Sequence, residues 1–163
     1  MKNMEYRVVQ SDCGYEKISM RFEDEQGEQD FIRFLADRID KKLCRSVIIH
    51  DLDADIPKYE DYFHCPFSIL DSDTPSPTII SANIDWETMN NVLGNWGFYT
   101  FGSYLLWTRL PIHDELNAVK NAEVAVKHIY DSSLEITVKA SLFGEIQKII
   151  SEFLMNGVKT TNE

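Results

Sequence analysis

Alternation of apolar and polar positions divides the chain into short elements. Residues 17–23, KISMRFE, set Ile18, Met20 and Phe22 on one side and Lys17, Ser19, Arg21 and Glu23 on the other, the period of a half-solvated strand. Residues 4–10, MEYRVVQ, read as a strand before it, and Ser11-Asp12-Cys13-Gly14 as a turn, so the two predict an antiparallel hairpin that Asp24-Glu25-Gln26-Gly27 ends. The period then lengthens. Over 28–43, Phe31, Leu35, Ile39 and Leu43 recur at spacings of four with Ile32 and Ala36 beside them, acids early and lysines late. That predicts a helix whose apolar stripe packs on a sheet. Val47-Ile48-Ile49, within 45–49, is a β-branched run suited to a buried strand.

Further along, residues 66–70 predict a short strand at a sheet edge, because Pro66 has no N–H for a ladder. Ser72 to Pro77 is a loop, and 78–82 another β-branched strand. Asp85 is a suitable N-cap for a helix over 86–93, closed by Gly94 or Asn95. Residues 113–121 predict a short helix. Residues 123–130 and 134–140 alternate around Asp131-Ser132-Ser133 and predict a second hairpin, the rival being one helix through 113–129. Ser141 caps a last helix to about Met155, which Asn156-Gly157 stops.

The segment NWGFYTFGSYLLWTR, residues 95–109, holds six of the nineteen aromatics. Read as one strand it is apolar on both sides, with Phe98, Tyr104, Leu106 and Leu110 on one and Tyr99, Phe101, Leu105 and Trp107 on the other; that is the pattern of a central, doubly covered strand. Its length favours a hairpin turning at Gly102-Ser103. Together the elements predict an α+β fold: a largely antiparallel mixed sheet with two to four helices packed against it, in a single globular domain over 1–157 with a flexible tail over 158–163.

Composition narrows the function classes. The 163 residues are 44% hydrophobic and 26% charged, which is globular rather than disordered. No run reaches the ~20 apolar residues of a membrane span, and the N-terminus lacks a signal-peptide core, so a cytoplasmic location is expected. Cys13, Cys44 and Cys65 are odd in number with no C-x-x-C, so neither disulfides nor a zinc knuckle are signalled. A net charge of -11 argues against binding nucleic-acid phosphates or anionic membranes and favours a basic protein partner.

That charge is uneven. Between residues 51 and 73 lie seven acids, Asp51, Asp53, Asp55, Glu60, Asp61, Asp71 and Asp73, against Lys58 alone. Tyr59, Tyr62 and Phe63 are interleaved, combining charge for steering with aromatic anchors. The expected binding residues are therefore Asp51, Asp53, Asp55, Tyr59, Glu60, Asp61 and Tyr62, with no catalytic residue, metal ligand or cofactor assigned. This profile resembles that of bacterial immunity and antitoxin proteins, which neutralise basic nuclease toxins; the resemblance is of size, charge and fold class and includes no motif. It implies occlusion, with carboxylates pairing the Lys and Arg that a partner would otherwise present to nucleic acid.

The alternative is a small metal-dependent hydrolase. Asp51 and Asp53 beside His50 follow the 47–49 strand, and clustered carboxylates at a strand end can hold a hard cation. VIIHDLDADI resembles the first motif of haloacid-dehalogenase-type phosphatases over about ten residues, and departs from it at Asp55, where that family has Thr or Val. No downstream acidic motif accompanies it. His64-Cys65 and His113-Asp114-Glu115 lack metal-ligand spacing.

Overall fold

The computed structural model describes residues 4–12, 14–50, 63–70, 78–81, 83–94, 103–110, 120–129 and 132–161. Its strands are β1 (Met4–Asp12), β2 (Tyr15–Phe22), β3 (Cys44–His50), β4 (Ser68–Leu70), β5 (Thr78–Ser81), β6 (Tyr104–Thr108), β7 (Val124–His128) and β8 (Ser133–Lys139). The helices are α1 (Glu25–Arg38), α2 (Trp86–Leu93) and α3 (Phe143–Thr161). Among the described residues all eight strands join one sheet in the order β1-β2-β8-β7-β6-β3-β5-β4, and every pairing is antiparallel. This is the α+β architecture that the periodicities predict.

Both expected hairpins form. Asp12 pairs with Tyr15 across the first turn, where Gly14 takes the φ of +86° that a side chain would resist. The second joins β7 to β8, excluding a helix over 124–128. The edge strand β1 carries a bulge between Val8 and Gln10, a feature that discourages pairing with another chain. The short strand at 68–70 is the opposite edge, as Pro66 before it foretells.

Register sorts the side chains. Ile18, Met20 and Phe22 of β2, Leu134, Ile136 and Val138 of β8, Val124 and Val126 of β7, Leu105 and Trp107 of β6, and Val47 and Ile49 of β3 share one face and are all buried. The helices supply the matching layer: Phe31 stacks edge-on to Phe153 at 5.2 Å and lies 5.6 Å from Phe22. Met89, Val92 and Leu93 of α2 enter the same core, and Arg33 Nε donates to Asn90 Oδ1 at 2.7 Å. On the opposite face Ser46, Ile48 and Leu106 are fully buried, so the Tyr104–Thr108 part of the aromatic stretch is indeed a central strand covered on both sides. Towards β1 that face turns polar, with Arg7, Lys17, Ser19 and Arg21.

Four details depart from the sequence expectation. Asp24 to Gly27 does not end the hairpin but opens α1: Asp24 is the N-cap and its Oδ1 accepts from Gly27 N at 2.8 Å. The helix closes at Arg38, five residues early, because Asp40 takes up the chain, accepting from Lys42 N at 3.0 Å; Ile39 is still buried. Leu110 lies beyond β6 and is exposed. The last helix passes Asn156-Gly157 and runs to Thr161; a helical Gly costs only about 1 kcal/mol relative to Ala, which established helix on its N-terminal side can carry. Residues 95–102, where the hairpin alternative sits, lie outside the described residues, as does 113–119 of the expected short helix.

Candidate functional site

The two ends of the sheet carry different connections. At one, register aligns His50 with Thr78 and Thr78 with Leu70. The chain leaves β3 and β4 and enters β5 at these three positions, so the acidic connections 51–62 and 71–77 start from one corner. The same end receives the C-terminus of β2, where Glu23, Asp24 and Glu25 are exposed in succession. The expected binding residues Asp51, Asp53, Asp55, Tyr59, Glu60, Asp61 and Tyr62 lie outside the described residues, and of His50 only the backbone is described. Phe63, which closes this segment, is a core residue stacked on Phe67 at 5.0 Å, and so is unavailable as an anchor for a partner.

His64 and Cys65 serve the entry to α2. His64 N donates to Thr88 Oγ1 at 3.0 Å, Asp85 N donates to Cys65 Sγ at 3.3 Å, and Asp85 Oδ1 accepts from Thr88 N at 2.7 Å. Hydrogen bonding by the Thr88 backbone N–H and side chain holds the Asp85 carboxyl below its usual range. Among the described residues no three His, Cys, Asp or Glu converge as metal ligands. His113, Asp114 and Glu115 lie outside the described residues.

Two buried carboxylates were not singled out by the sequence. Glu28, fully buried in the first turn of α1, faces His128 at the end of β7, with Nδ1 2.7 Å from Oε1. Among the described residues its Oε2 has no hydrogen-bond partner. Burial raises the Glu28 pKa, outweighing the hydrogen bond and charge of His128, and Glu25 adds to the rise. The available signal was its position, one turn ahead of Phe31 and Ile32 on the same helix face.

Glu123, just before β7, is the second. Its backbone bridges two strands, with its N–H donating to Trp107 O and its carbonyl accepting from Lys139 N. Its carboxylate accepts from Lys139 Nζ at 2.6 Å and Arg109 Nε at 3.1 Å. Burial opposes ionisation here, yet the bond and charge of Lys139, joined by Arg109, lower the pKa overall. Glu123 lies in the wall of a cleft of about 780 Å³ at the second end of the sheet, between the C-terminus of α1 and the first turns of α3. Its apolar lining includes Ile39, Val124, Leu142, Ile146 and Ile149, while Lys42, Arg109 and Lys148 stand among the charged side chains around it.

Comparison with family models, curated proteins and solved structures returned no match.

Proposed function

We propose that this chain is a protein-binding module for a basic partner, an inhibitor of the immunity or antitoxin type that works by occlusion. What supports the reading is the concentration of acid in the two connections that leave β3 and β4. Two connections holding seven acids against Lys58 start from a single corner, and Glu23, Asp24 and Glu25 are exposed at the same end. Such one-signed concentration raises encounter rates with oppositely charged proteins by roughly 10- to 1,000-fold, falling steeply with salt. Asp51, Asp53, Asp55, Glu60 and Asp61 pair with the partner's Lys and Arg, and Tyr59 and Tyr62 supply contact area. The test is the combined variant Asp53→Asn, Asp55→Asn, Glu60→Gln and Asp61→Asn. It slows association with the partner by at least about tenfold at low salt. An unchanged low-salt on-rate removes the proposal.

A further inference from the structure

At the end of the sheet remote from the acidic corner, we infer that the cleft between α1 and α3 is a binding site for a small amphipathic carboxylate, an apolar body with one anionic head. The site is independent of the acidic connections. Its volume of about 780 Å³ falls within the roughly 300–1,000 Å³ of small-molecule sites. Apolar side chains from four places in the chain line it: Ile39 after α1, Val124 of β7, Leu142 before α3, and Ile146 and Ile149 of α3. Leu142 is half-buried and the other four show only their edges, so together they floor the cleft with apolar atoms against which an apolar body can rest.

The cations decide the head group. Arg109 engages Glu123 through Nε alone, and no described residue accepts from its two terminal nitrogens. That guanidinium is largely exposed, at 79% for the side chain, and presents the fork that grips a carboxylate with two parallel hydrogen bonds. Lys42 and Lys148 have no carboxylate within ion-pair distance of Nζ among the described residues, whereas Arg38 is held by Asp37 and Glu152. Glu123 is already matched by Lys139 as well as Arg109, so that group of three carries a net positive charge. Asp40 and Glu145 also line the cleft. Together with the net charge of -11, they select against multiply charged anions and favour a ligand whose affinity comes mainly from its apolar part.

Titration calorimetry of the full chain with octanoate, decanoate and dodecanoate tests this, with 1-decanol and decylamine as head-group controls. The expected result is saturable one-to-one binding that tightens about fourfold per added methylene. Decanol binds at least about tenfold more weakly than decanoate, for want of a charge-assisted hydrogen bond. Lys42→Gln with Lys148→Gln, which leaves the Glu123 cluster intact, weakens decanoate severalfold and leaves decanol unchanged; adding Arg109→Gln weakens decanoate further. Absence of saturable heat at millimolar carboxylate overturns the inference. So does tighter binding of decylamine, which would mean that Asp40 and Glu145 choose the head group. Affinity for decanoate that ignores the three cations overturns it equally.

Discussion

Glu28→Gln isolates the cost of a buried carboxylate. Glu28 is fully buried, one of its oxygens is bonded to His128, and the other has no partner among the described residues. Desolvation raises its folded-state pKa above the ordinary 4.5. The folded protein therefore binds this proton more tightly than the unfolded chain does. The stability that Glu28 contributes is fully present below the ordinary carboxylate value and is lost as pH rises through the raised one. Above that window an uncompensated buried polar atom costs about 1–3 kcal/mol. Gln has nearly the same shape and no charge to bury. Urea unfolding of both proteins from pH 4 to 8 gives the comparison, and subtracting the variant removes the background of the other acids. The variant gains on the wild type as pH rises, with a slope of at most about 1.4 kcal/mol per pH unit, and is about 1–3 kcal/mol more stable on the upper plateau. For a chain of this size that is roughly 2–4 °C in Tm per kcal/mol. A difference that is constant over this range, or that shrinks as pH rises, refutes the reasoning.

Other substitutions probe the frame that holds the two ends apart. Phe153 is buried against Phe31 and Phe34, at 5.2 and 5.3 Å between rings; Phe153→Ala lowers the unfolding free energy by about 3–5 kcal/mol in urea. Glu123→Gln leaves Arg109 and Lys139 facing a neutral amide and costs about 1–3 kcal/mol at pH 7. Because the Glu123 pKa is lowered in the fold, that penalty is present above the ordinary carboxylate value and fades as pH falls through the lowered one, the reverse of the Glu28 profile. Parallel unfolding series for the two variants make the opposite slopes directly visible.

Legibility from sequence followed the range of the interaction. Ile18, Met20 and Phe22 announce their strand and their buried side by alternation, and Asp85 announces α2, because both signals are local. The β7–β8 hairpin was legible for the same reason, its register being set across a short turn. The start of α1 was local too, but Asp24 with Gly27 fits a turn and an N-capped first helical turn equally, and only the Asp24 hydrogen bond separates them. Strand order was not legible: β8 between β2 and β7, and β6 between β7 and β3, are choices made across the whole sheet. The burial of Phe63 was hidden because its neighbours Asp61 and Tyr62 give that window an exposed character. The roles of Glu28 and Glu123 were hidden because a carboxylate is ordinarily a surface residue, and each acquires its function from a partner, His128 or Lys139, distant from it in the chain.

The central claim is that the acid-rich connections after β3 and β4 steer a basic protein onto this molecule. Its most direct measurement is the stopped-flow association rate, as a function of ionic strength, for the protein that the chain retains from lysate of its source past physiological salt. The account predicts a wild-type rate that falls steeply as salt rises, and a flattened, slower rate for the variant neutralised at Asp53, Asp55, Glu60 and Asp61. A salt-independent wild-type rate, or a variant that associates as fast as the wild type at low salt, contradicts it.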